Sequence, residues 1–167
     1  MFNHIEDFAR AWEFESAATQ KLMDELSDSS LRQAVAAGHR NLGRVAWHIV
    51  TTIPEMMGRT GLKFQAVKGE TALPSAAREV KRGYAGASKE LMEQIRSNWT
   101  DATLAVVDNM YGFEWSRGRT LRILIDHQTH HRGQMTVLMR QAGLRVPGVY
   151  GPSKEEWADY GGTPPEV

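Results

Sequence analysis

The sequence predicts an all-α protein, a four-helix bundle. Three observations carry that expectation. Four long stretches repeat apolar residues every three or four positions, polar or glycine runs separate them, and no convincing sheet pattern lies between them. The 167 residues suit one domain, 1–167, and suffice to bury a sizeable core.

The first stretch runs from about Asn3 to Leu26, with Ile5, Phe8, Ala9, Trp12, Ala18, Leu22, Met23 and Leu26 in helical rhythm. Ser27-Asp28-Ser29-Ser30 breaks it, and residues 31–40 read as a connecting segment. Asn41 can cap a second helix from about Leu42 to Met57, in which Pro54 should kink the axis or free the carbonyl of Val50. Gly58 and Gly61 supply its stop. A loop over 62–74 leads to a third helix from about Ser75 to Ser97, where Gly83 and Gly86 weaken the helix or admit a neighbouring backbone. The connection to about Ser116 contains two short pieces of extended character, Leu104–Val107 and Tyr111–Trp115. A fourth helix spans about Arg117 to Gln141 and stops at Gly143. From about 146 the tail, with Pro147, Pro152, Pro164 and Pro165, should be mostly irregular.

Twenty basic and twenty acidic residues give zero formal charge, which argues against an obligatory nucleic-acid partner, since phosphate binding needs a basic field. No apolar run approaches the ~18 residues of a membrane span, and the start, Met1-Phe2-Asn3-His4, lacks the pattern of a signal peptide. A cytoplasmic protein is expected. With no cysteine, thiolate ligands and a cysteine nucleophile are excluded, so a metal would have to be held by His, Asp, Glu or water.

Half of the six histidines fall within Asp126-His127-Gln128-Thr129-His130-His131-Arg132-Gly133-Gln134. On a helix His127 and His131 are i and i+4 and project from one face, a spacing that lets two imidazole nitrogens reach one cation. His130 lies roughly 80° from the midline of that pair. Thr120, Ile123, Leu124, Gln134, Met135 and Leu138 lie closer to it, so the two histidines interrupt the core stripe. A buried imidazole with an unmade hydrogen bond costs about 1–3 kcal/mol. A shared cation would explain both, and hydrogen bonds to other helices are the alternative. The best third ligand is His48, which shares its side of the second helix with Val45, Thr52 and Met56. His4 and His39 sit near a terminus and in a connection, where exposure is expected. Glu55, seven residues past His48, either approaches the metal or is an exposed helix-end carboxylate. Gln134, Asp126 and His130 flank the site, where they would orient ligands or simply be solvated.

Asn41-Leu42-Gly43-Arg44-Val45-Ala46-Trp47-His48-Ile49-Val50, the His127-to-Gln134 segment and Tyr150-Gly151-Pro152-Ser153 together resemble the DinB/YfiT-like family of metal-dependent enzymes. The resemblance implies a bundle of up-down-down-up topology, often a homodimer. It also implies a divalent metal, nickel or zinc, held by His48, His127 and His131. The activities it implies are hydrolysis and S-transfer from low-molecular-weight thiols such as bacillithiol or mycothiol.

Two functions follow as expectations. In the first, a metal-dependent enzyme activates water or a thiol for attack on an electrophilic small molecule, with Arg44, Arg117, Arg119 and Arg122 as candidates for holding the thiol's carboxylates or sugar or as ordinary surface arginines. In the second, a non-catalytic binding or stress protein uses the metal only as a brace. Such a site would be closed by a fourth protein ligand, and Glu55 is the candidate.

Overall fold

Residues 1–67 and 72–166 are described by the computed structural model, which is mostly helical. Four long helices make the scaffold: α1 (Ile5–Asp24), α2 (Leu42–Gly58), α3 (Ala77–Asn98) and α4 (Arg117–Gln141). Residues 68–71, within the loop expected at 62–74, lie outside the described residues.

The helix boundaries follow local chemistry. Asn41 caps α2 as expected, its side chain accepting from the Arg44 amide at 2.8 Å. Ser116 does the same for α4 through Arg119. The amide of Ala77, the first residue of α3, is met from outside the helix, by the Asp28 carboxylate at 2.7 Å. α3 thus begins two residues later than the expected start at about Ser75. Pro54 lies buried inside α2, which continues to Gly58.

Each of α1 and α2 packs mainly against α3 and α4. Phe8, Trp12 and Leu22 of α1 meet Ile49, Ile53 and Met57 of α2 in one buried apolar cluster shared with Leu91, Ile95, Leu121 and Leu124. At Gly83 of α3 a Cβ would lie 2.8 Å from the Trp47 ring, so glycine there admits a neighbour's side chain rather than its backbone.

Among the described residues the named strands form one hairpin. Strands β1 (Val107–Met110) and β2 (Phe113–Ser116) pair antiparallel, with Val107 opposite Ser116 and Met110 opposite Phe113. The linking residues Tyr111 and Gly112 have φ of 58° and 89°, the left-handed pair of a type I′ hairpin turn. The extended pieces expected at Leu104–Val107 and Tyr111–Trp115 are therefore shifted. Asp101–Ala105 is a 3-10 turn with a Thr100–Thr103 capping box, and Tyr111 sits at the turn. Four-residue strands whose Val107 and Phe113 face solvent leave no apolar alternation to read.

In the tail, Val146 is buried and Lys154–Tyr160 forms a 3-10 helix, at whose start the Glu156 carboxylate accepts from the Ser153 amide at 3.2 Å. Arg140 pairs with Glu155 to hold it to α4. Among the described residues no helix is long and apolar enough to cross a membrane.

Candidate metal centre

α4 lies between α1 and α2 and presents different faces to them. Toward α2 it offers His127 and His131, and α2 answers with His48. The Nε2 atom of His127 stands 3.1 Å from that of His48 and 3.1 Å from that of His131. The three rings meet edge-on, with centroids 4.4 to 4.9 Å apart. Among the described residues these are the one group of three His, Cys, Asp or Glu able to hold a metal ion, one potential ligand atom from each lying within 4.8 Å of the others.

The far sides of the rings show how the hollow is polarised. His131 Nδ1 faces the Gln134 side-chain oxygen at 2.7 Å, and an amide oxygen can only accept, so His131 carries its proton there and leaves the Nε2 lone pair inward. His48 Nδ1 lies 3.5 Å from the Thr52 hydroxyl, which itself donates to the His48 carbonyl at 2.7 Å. His127 Nδ1 is buried and has no partner. Protonating His127 on Nε2 satisfies one neighbour and leaves its Nδ1 bare. Protonating it on Nδ1 buries an unpaired donor and aims three lone pairs at one point. Either arrangement is costly, by about 1–3 kcal/mol for the unmade bond, and a cation at the centre removes the conflict.

The donor set fits a divalent metal. Metal–nitrogen bonds of about 2.0–2.1 Å in a tetrahedral site place neighbouring nitrogens about 3.3 Å apart, close to the spacing of two of the pairs. Ligand histidines must also be neutral. Burial, followed by the influence of His131, pushes His48 down to about 4, and burial with the same neighbour pushes His127 down to about 3. Burial lowers His131 as well, against the opposing effect of the hydrogen bond it donates to Gln134.

Comparison with known proteins identifies the family. A model of the DinB family matches residues 1–166. The chain belongs to the DinB family. It is 46% identical over 167 residues, the whole of both chains, to the uncharacterized protein YrdA of Bacillus subtilis (strain 168). A DinB-like protein from Bacillus cereus ATCC 10987 has 47% identity and a crystal structure that matches with a TM-score of 0.87 over 90% of this chain and 100% of its own. The DinB-like protein YjoA of Bacillus subtilis, at 14% identity, shares the fold, with a TM-score of 0.67 over 86% of this chain and 97% of that one.

The remaining candidates sort clearly in this DinB-family chain. Gln134 sits beside the site, bridging His131 and the exposed His130, whose Nε2 accepts from the Gln134 amide at 3.1 Å. Glu55 is engaged elsewhere, accepting from Arg59 at 3.0 Å and from the Tyr111 hydroxyl at 2.5 Å. Asp126 pairs with Arg122. Arg117 pairs with Asp108, and Arg119 lies over the Trp115 ring. His4 pairs with Asp101.

Two features carry no recognisable sequence signature. A cavity of about 510 Å³ opens beside His131 and Gln134, and the arginine on its wall is Arg40, not Arg44, Arg117, Arg119 or Arg122. Arg132, next to His131, points away toward α1. Its guanidinium donates to Glu15, Thr19, Thr129 and Tyr150.

Proposed function

We propose that this DinB-family protein is a metal-dependent enzyme in which His48, His127 and His131 hold one divalent cation, nickel or zinc, beside a substrate cavity. The observation that carries the reading is the convergence of three neutral imidazoles with no fourth protein ligand among the described residues. A metal held by three histidines supplies a Lewis acid with an open position, able to lower the pKa of a bound water or thiol. The chain's own groups do the rest. Burial keeps the rings neutral, Gln134 fixes the tautomer of His131, and the cavity beside them gives a small molecule room to approach.

Two reactions suit this arrangement: hydrolysis, and S-transfer from a low-molecular-weight thiol to an electrophilic small molecule. A metal that merely braces the fold would call for a closing ligand, and Glu55 is taken up by Arg59 and Tyr111. The family resemblance supports helices running up-down-down-up and a homodimer, and the same reading takes the chain as one domain over 1–167 in the cytoplasm. Zero formal charge supports a small-molecule partner over nucleic acid.

The test is metal analysis of the purified protein after nickel or zinc supplementation, followed by a turnover screen. The screen crosses bacillithiol, mycothiol and water as nucleophiles with alkyl halides, epoxides and esters. The expected result is about one metal per chain and a turnover that requires it, in keeping with a three-histidine open site. No retained metal contradicts the site, and a full metal complement without turnover in any combination contradicts the enzyme.

A further inference from the structure

The connecting segment after α1 is more ordered than its composition suggests. Ala34 and Asn41 pair in an antiparallel bridge, and the Leu42 amide donates to the Gln33 carbonyl at 2.7 Å. Within the loop so closed, the His39 amide donates to the Ala36 carbonyl. The loop is thus tied at its base to the start of α2, and it forms one wall of the 510 Å³ cavity whose opposite wall is α4.

Two kinds of surface face that cavity. Val35 of the loop, Val45 of α2, and Val137 and Leu138 of α4 make an apolar lining. Val35 and Val137 are 59% and 54% exposed, so water covers much of the apolar rim. The loop also contributes Arg40 and His39. Arg40 makes no ion pair among the described residues, and no carboxylate lines the cavity. Arg40 lines the same cavity as His131 of the metal site. In a chain of zero formal charge, this cavity is a locally cationic place.

An uncompensated guanidinium beside an apolar wall recognises a specific chemistry. A guanidinium pairs with a carboxylate through two parallel hydrogen bonds, and the wet valine rim gains by contact with a hydrocarbon chain. We propose that the cavity binds a small organic carboxylate, its charged head on Arg40 and its aliphatic body against Val35, Val45, Val137 and Leu138. The assignment rests on the enzyme reading above in one respect, that this anion is the class to which the substrate belongs.

Binding is measured by calorimetry and by NMR titration on the full chain, both metal-free and zinc-loaded. The probes are hexanoate, 1-hexanol and hexylamine, which share a chain and differ in the head. Hexanoate should bind the metal-free protein roughly tenfold more tightly than either of the others, the preference expected of one charge-assisted pair at a partly exposed site. Arg40→Gln should remove that preference while leaving hexanol binding unchanged, Arg40→Lys should restore part of it, and Val137→Gln should weaken hexanoate and hexanol together. Failure of hexanoate to bind, equal affinity for hexanoate and hexanol, or a preference that survives Arg40→Gln would each overturn the proposal. The metal-free arm separates the two claims. Arg40-dependent binding in a protein that retains no metal would leave the anion site standing and remove the enzyme, whereas retained metal without hexanoate binding would do the reverse.

Discussion

The two sides of α4 at residues 127–134 place polar groups in the core under opposite terms. On the side facing α1, Arg132 is 2% exposed, and its guanidinium is met by the Glu15 carboxylate and carbonyl, the Thr19 and Thr129 hydroxyls and the Tyr150 hydroxyl. Tyr150 in turn donates to Glu15 at 2.9 Å, so one cluster pins the tail, α1 and α4 together. On the side facing α2, three imidazoles crowd within hydrogen-bond distance and His127 Nδ1 is left with no partner. A buried polar group whose partners all come from the protein is doing structural work. A buried polar cluster short of partners is shaped for something else that binds there.

This contrast can be broken from either side. The largest effect belongs to His127→Ala, which should abolish metal retention as measured by elemental analysis after dialysis. The metal-free variant should unfold in urea within about 1 kcal/mol of the wild type, or be slightly more stable, because the change deletes an orphaned ring nitrogen. Arg132→Met should behave in the opposite way. It strands Glu15 and should cost about 3–5 kcal/mol in urea unfolding, while the folded fraction keeps its full metal complement. Equal effects of the two substitutions on stability and metal would erase the distinction.

A smaller effect is expected at Gln134, which holds the His131 tautomer without being a ligand. Gln134→Leu should weaken zinc affinity about 10- to 100-fold in a competition assay with a chromophoric chelator. The smallest effect is that of pH on the metal-free chain. His48 and His127 are pushed down to about 4 and about 3, so they stay neutral in the folded state while the unfolded chain takes up protons below about 6.5. The metal-free fold is therefore most stable above that pH and loses stability progressively as the pH falls toward 4 and then 3. The urea midpoint should drop between pH 7 and pH 5, and by less in His127→Ala.

How far each side could be read from sequence follows from how its contacts are made. His127 and His131 lie four apart on one helix, so local periodicity alone puts them together. His48 was recoverable because Asn41 fixes the start of α2 and its apolar neighbours mark the inward face. The Arg132 cluster was not, since Glu15, Thr19 and Tyr150 come from opposite ends of the chain and an arginine beside a histidine pair carries no mark of burial. Arg40 is illegible in the sequence for the same kind of reason. The loop that presents it is closed by backbone pairing between Ala34 and Asn41, which leaves no side-chain signature. The hairpin was half-visible as extended pieces, but a tyrosine at φ 58° is an uncommon occupant of a left-handed turn position, and only Gly112 signals it.

The central claim, three imidazoles and an open position, is addressed most directly by X-ray absorption spectroscopy of the zinc- or nickel-loaded protein. Scattering from three imidazoles at about 2.0–2.1 Å plus one light-atom ligand that changes when a small thiol is added is the predicted result. A shell with fewer than three imidazoles, or one filled by a protein carboxylate and indifferent to added thiol, would contradict it.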